Sequence, residues 1–309
     1  LKQANPIWLG AAGVCTALFV LLECVALGQI LRGIGYPQSL RRTLLYSTSD
    51  IYFSAITPSA TGGQPASAYF MIKDGLPAGV TAVALLINLI LYTLSLVALG
   101  LAAILLQFPL LGQMRLLSRV LIGLGLLAQL GLTLLFFLML GKGETVFAAL
   151  ERFLRFLHRK KLIHRLERRL ERLRTAHRDF DECAKAMKRK PGIFLAAFLW
   201  NLCQRAAQLA VPMCVYLALG GSTGLAGTMF ASQCLVALGY SAVPIPGAMG
   251  VADFLMVDAY SGFLGLEEAI RLEMLSRGLS FYICVAVSGA VTLVGYWLLR
   301  KRKRKGNTA

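Results

Sequence analysis

Two segments rich in proline and glycine interrupt a chain otherwise suited to lipid: "TPSATGGQP" at residues 57–65 and "VPIPGAMGVA" at 243–252. Proline removes a backbone donor and clashes with the turn before it, and adjacent glycines favour a turn over a helix. Neither segment can therefore carry an unbroken helix through a bilayer. Irregular backbone is tolerated at membrane depth only where protein or a water-filled cavity covers it. These breaks constrain the fold more tightly than any uninterrupted apolar run.

The bilayer setting follows from composition. Of 309 residues, 57% are hydrophobic and 15% charged, the balance of a polytopic membrane protein. Windows at 7–31, 77–106, 116–140, 193–219 and 270–299 reach the ~18 to 20 apolar residues that span hydrocarbon. The first run is too long for a signal peptide and lacks a small-residue cleavage site. The chain opens on Leu1 and not on Met, which leaves room for a removed upstream segment. Six of the seven cysteines fall in apolar windows at no metal-binding spacing; they read as small buried apolar residues, and neither metal nor cofactor is expected. All three histidines, His158, His164 and His177, lie in one basic stretch, which excludes catalysis by a membrane-embedded histidine.

Charge sets the expected topology. Residues 141–191 hold 16 Lys/Arg against 7 Asp/Glu, and residues 300–305 are six consecutive basic residues. Positively charged loops stay in the cytoplasm, so both segments are assigned there, with the loop carrying Arg32, Arg41 and Arg42. Window 116–140 must then begin outside, and 77–106 must run outward. Residues 44–72 are left beginning and ending on the cytoplasmic face, and 225–260 beginning and ending outside. Arg115 and Arg119 fall on the outer side, a minor exception beside the 141–191 cluster.

Each broken segment is thus expected to be a re-entrant hairpin, with a kinked transmembrane helix as the plainer alternative; Pro58, Gly62, Gly63 and Pro65 make the first break and Pro244, Pro246, Gly247 and Gly250 the second. Pro65 suits the first position of the returning helix. The expected fold is an all-α polytopic membrane protein with inverted-topology repeats, each holding one broken-helix hairpin. Residues 1–140 form the first membrane unit, with a repeat at 7–106 and an extra helix at 116–140. Basic amphipathic helices fill 141–191 on the inner surface, the second inverted repeat fills 192–299, and 300–309 is a basic cytoplasmic tail. In both repeats the helix start precedes the break by 51 residues. Such repeats with discontinuous helices are a transporter architecture, and helix N-termini at the breaks suit a phosphate or carboxylate.

Polar residues inside apolar windows mark the candidate site, because a charge at the bilayer centre costs ~2.5 to 3.5 kcal/mol even on lenient scales. The substrate-binding candidates are Glu23, Asp50, Thr57, Ser59, Thr61, Gln64, Gln204, Arg205, Asp253, Arg271 and Arg277. Threonine, serine and glutamine offer hydrogen bonds, Arg205 a charge for phosphate, and Glu23 or Asp50 a partner for an amine. A purely structural alternative pairs Arg205 with Glu23 or Asp50, and Asn88 and Gln233 are read as bridges between helices. No P-loop or dinucleotide glycine pattern is present.

The stretch "GIGYPQSLRRTLLYSTSDIYFSAITPSATGGQPASAYFMIKDGLP", with "VPIPGAMGVADF" later, resembles the membrane domain of the lysylphosphatidylglycerol synthase/flippase family. The resemblance covers nearly the whole chain. It implies a lipid translocase: two-domain members join this domain to an aminoacyltransferase that makes lysyl-phosphatidylglycerol, and the membrane part moves that lipid outward. Members usually carry one more helix before the one at 7–31. Only ten residues follow Leu299, so no synthase activity is expected of this chain.

The expected cargo is an aminoacylated or anionic phospholipid, with a polyprenyl-phosphate or glycolipid carrier as the alternative. A lipid-modifying enzyme or an accessory scaffold are the rivals from other classes. Expected partners are membrane phospholipids, as cargo and as the anionic inner leaflet beneath 141–191. A separate lipid synthase and a homo-oligomer stay open, and nucleic acid is not expected. The expected location is a cytoplasmic (inner) membrane, multi-pass, with the C-terminus inside.

Overall fold

The computed structural model describes residues 4–160, 166–241 and 243–306, and among them the chain is helical with no strand. Helix α1 (Pro6–Gly33) opens on Pro6 at its first position, and Asn5 Oδ1 accepts from the Ile7 amide at 3.0 Å. Proline there loses an N–H that a helix start leaves unpaired anyway. Next come α2 (Leu40–Ile56), a single 3-10 turn (Pro58–Ala60), α3 (Gly63–Lys73) and α4 (Ala78–Leu106). A short α5 (Pro109–Gln113) leads to α6 (Leu116–Gly141), α7 (Gly143–Arg159) and α8 (Leu166–Arg189).

The second half follows the same order. Helix α9 (Pro191–Ala218) again starts on a proline, followed by α10 (Ala226–Ser241), a 3-10 turn (Pro246–Ala248) and α11 (Val251–Ser261). Then α12 (Leu266–Arg277) passes through a π-helical turn (Gly278–Ile283) into α13 (Cys284–Gly306).

The two halves pack on each other about α1 and α9. Helix α1 lies along α9, and α4 touches both. The broken pair α2–α3 packs on α1 and α13, while the broken pair α10–α11 packs on α9 and α4. The 3-10 turns at the two breaks touch each other. Helix α6 covers α10 on the remaining side.

Close approach there depends on glycine: a Cβ on Gly125 would sit 1.8 Å from the Leu238 carbonyl oxygen, and one on Gly100 2.3 Å from a Leu238 methyl. Every residue from 231 to 239 of α10 is buried. Outside this bundle, α7 packs on α8, with the Phe147 and His177 rings stacked at 4.3 Å. Helix α8 packs in turn on the start of α4, where Gly79 leaves space for Asp179.

Among the described residues, four helical stretches are long and apolar enough to cross a membrane: Pro6–Gly33, Ala78–Leu106, Leu116–Leu135 and Leu266–Leu298. The span expected at 193–219 is not among them. Helix α9 has the length, at 28 residues, but Asn201, Gln204, Arg205 and Gln208 give it a polar middle. Pro65 also differs from expectation: α3 starts at Gly63, so the proline takes the third position, still among the four N–H groups a helix start leaves free.

Candidate functional site

At the first break, α2 ends where Thr57 turns extended, and the Thr57 hydroxyl donates to the Phe53 carbonyl (2.6 Å) while accepting from the Gly62 amide (2.8 Å). Asp50, one turn earlier on a half-buried face, accepts from Ser54 Oγ at 3.0 Å and from Gln64 Nε2 at 2.8 Å. One carboxylate thus ties both sides of the break together. The glycines serve proximity here and not an unusual dihedral, since Gly62 has φ −81°. A Cβ on Gly63 would lie 2.0 Å from both Asp50 Oδ1 and Ser54 Oγ, and one on Gly62 2.7 Å from Thr57 Cγ2. Thr61 is exposed and donates to the Pro58 carbonyl at 2.9 Å. The Ser59 side chain is not among those described.

The second break uses glycine differently. Gly247 (φ 58°) and Gly250 (φ 80°) occupy the left-handed region, which glycine enters without a Cβ penalty. Pro244 lies in a tight turn closed by the Ile245 amide on the Val243 carbonyl at 2.9 Å, Ile245 is extended, and Pro246 opens the 3-10 turn. Asp253 accepts from the Gly250 amide at 2.8 Å, closing the start of α11, and pairs with Arg277 at 2.8 Å. The Arg277 guanidinium donates to the Gly247 carbonyl (3.3 Å from each terminal nitrogen) and lies 4.8 Å over the Phe281 ring. The π turn carries Phe281, whose ring fills the space where Gly247 lacks a Cβ.

Between α1, α4 and α9 lies a third group, a buried polar layer. Asn88 donates to Glu23 Oε1 at 2.6 Å, and Asn201 donates to the Ala197 carbonyl at 3.1 Å while standing 3.5 Å from Asn88 Oδ1. Arg205 donates to Gln208, and its guanidinium stacks 3.6 Å from the centre of the Tyr92 ring. Pro212 cannot supply the amide that the Gln208 carbonyl would receive in a regular helix.

Glu23, Asn88, Asn201, Gln204 and Arg205 are all buried. Among the described residues, no carboxylate is within ion-pair distance of Arg205, so the direct pairing with Glu23 or Asp50 is not seen. Four atoms of the layer have no hydrogen-bond partner among the described residues: Glu23 Oε2, Asn201 Oδ1, Gln204 Oε1 and Arg205 Nε. An unsatisfied buried polar atom costs about 1–3 kcal/mol, so four together in one layer call for an account.

The match of one sequence family decides the protein's class: the lysylphosphatidylglycerol synthase TM region covers residues 1–288. The chain belongs to that family. As a member it is a multi-pass membrane protein of a lipid-related family. A UPF0104 membrane protein of Archaeoglobus fulgidus is 24% identical over 314 residues, spanning 98% of this chain and 90% of its own length. No solved structure matches.

The expected site residues of this family member fall into three places. Asp50, Thr57, Thr61 and Gln64 meet at the first break, and Asp253 and Arg277 at the second. Glu23, Gln204 and Arg205 share the central layer. Arg271 stands apart: it is exposed, lies 3.8 Å from Glu267, and lines an open groove with Tyr216, Ser222 and Glu268. Ser54, Tyr92 and Asn201 join these groups although they were not among the site candidates. Their spacing carries the signal, since Asn201 and Arg205, Asn88 and Tyr92, and Asp50 and Ser54 are each four apart on one helix face.

Proposed function

We propose that this protein is a lipid translocase, moving a phospholipid headgroup through the polar layer between its two halves while the acyl chains stay in lipid. The observation that carries this reading is the set of four unpartnered atoms. Three are oxygen acceptors, one of them on a carboxylate, and a primary ammonium has three donors to offer. The fourth is a guanidinium N–H, which suits a phosphate oxygen. A headgroup bearing an amine near a phosphate uses all four; a polyprenyl phosphate would use Arg205 and leave Glu23 facing like charge.

The exchanged packing, α2 on α13 and α10 on α4 about the α1–α9 pair, supports opposed repeats. In this scheme each broken pair is a re-entrant hairpin, their touching breaks close the path, and rocking of one repeat against the other opens it to alternate faces. The basic residues of 141–191 and 300–305 put those segments on the cytoplasmic side.

The test is reconstitution into vesicles with fluorescent lipids that differ only in headgroup, read by leaflet exposure over time. The aminoacylated or amine-bearing lipid is expected to equilibrate faster than in protein-free vesicles, and Glu23→Gln and Arg205→Gln are expected to slow it by ~10-fold or more, the scale of one charged hydrogen bond. Unchanged rates for every headgroup would refute translocation. Chemical turnover of the lipid in detergent micelles would favour an enzyme instead.

A further inference from the structure

We propose that α7 docks on an anionic bilayer surface through one face formed by Leu150, Phe153 and Phe156. These three side chains are 42%, 56% and 53% exposed, and their spacing of three places them on one side of the helix. The adjoining part of the apolar stripe is already taken. Phe147 stacks on His177 of α8, and Leu154 and Leu157 are half-buried.

Helix α8 shares the basic, amphipathic sequence but not the opportunity. Its Leu170 is buried, Leu166 and Leu173 are half-buried, and it packs between α7 and the start of α4. Of the two helices expected on the membrane surface, α7 alone therefore keeps an uncovered apolar face among the described residues, and α8 backs it.

Charge selects the occupant. From Lys142 to Lys160 there are five Lys/Arg and two Glu, and Arg152 and Arg159 lie beside the apolar face, where long side chains can reach headgroups while their stems cover hydrocarbon, with Arg155 on the far side of the helix. Arg155 hydrogen-bonds Glu151 at 2.6 Å and holds that carboxyl below its ordinary value, so this acid stays ionised and paired and does not face the surface as a free repelling charge. Position agrees: a single residue, Lys142, separates α7 from α6, whose residues 116–135 are apolar enough to span. A helix starting at the end of a span, apolar on one side and basic beside it, is suited to lie in the interface with its apolar face ~5–10 Å deep. Attraction to anionic lipid adds about 1 kcal/mol per cation near the surface.

The test uses the whole chain with its native cysteines replaced, carrying a spin label at Phe153→Cys or, separately, at Arg155→Cys. Each is reconstituted into phosphatidylcholine vesicles with or without phosphatidylglycerol. With phosphatidylglycerol, the label at 153 should be several-fold more accessible to oxygen, relative to a water-soluble nickel chelate, than the label at 155. Without it, or in high salt, that contrast should shrink. Equal chelate access at both positions in all vesicles would overturn the proposal. So would a contrast unaffected by lipid charge and salt, or shielding at 153 that grows with protein density, which would assign the face to a second copy of the chain.

Discussion

The two broken pairs are built to different specifications. In the second, α10 is enclosed by α4, α6, α9 and α11, and its break is locked by the Arg277–Asp253 pair and the Phe281 ring. In the first, the buried stretch of α2 includes Thr43, Ser47, Thr48 and Ser49, and the break is tied by hydroxyls, one glutamine and Asp50. Among the described residues, no counterpart of α6 covers it. Its grip on α13 includes a 3.5 Å contact between Thr48 and Thr292 hydroxyls. The difference teaches which half of a rocking pair can be fixed and which can move: leucine packing and a half-buried ion pair resist rearrangement, whereas hydroxyl contacts exchange partners at small cost.

Substitutions can break or sharpen this contrast. The largest expected effect is from Gly125→Ala, because its Cβ meets the backbone of α10, which has nowhere to go. A loss of about 3 kcal/mol, at the upper end for overpacking, should appear as a clear fall in melting temperature in detergent. Arg277→Ala should follow at about 2 kcal/mol, less than the ~3–5 of a fully buried pair because the Asp253 side chain is 36% exposed.

In the first broken pair Gly63→Ala should cost about 2 kcal/mol by the same overpacking, since the Asp50 and Ser54 side chains can shift but the Asp50 carbonyl oxygen, 2.7 Å from the added Cβ, moves only with α2, and it should abolish leaflet exchange by opening the break. Asp50→Asn keeps the geometry and should lower the melting point least, by about 1 kcal/mol or less, while slowing exchange. If Asp50→Asn destabilises as much as Arg277→Ala, the two breaks are equally rigid and the contrast fails.

Much of this was legible in the sequence because it is local. The proline and glycine breaks, the apolar spans and the basic amphipathic pair all follow from neighbouring residues, and α1, α4 and α6 lie close to their apolar windows. Three things were not. Gly62 and Gly63 read as turn formers, yet what requires them is the closeness of Thr57, Asp50 and Ser54, a matter of packing. Helix α9 reads as a span by length, yet its middle turns polar toward partners on other helices. The central layer joins Glu23 to Asn88 across 65 positions and Asn88 to Asn201 across 113, and no window of sequence records such a meeting. The four-residue spacings were visible, but only the fold says which faces converge.

The claim beneath the proposed mechanism is that both broken pairs turn back inside the membrane, from opposite faces. Single cysteines at the exposed ends of each pair test it most directly: Ser39→Cys and Lys73→Cys for the first, Thr223→Cys and Gly265→Cys for the second, in sealed vesicles of one orientation with an impermeant thiol reagent. Labelling of 39 and 73 from one side and of 223 and 265 from the other is the expected result. Labelling of 39 and 73 from opposite sides would mean that the first pair crosses the membrane, and would contradict the account.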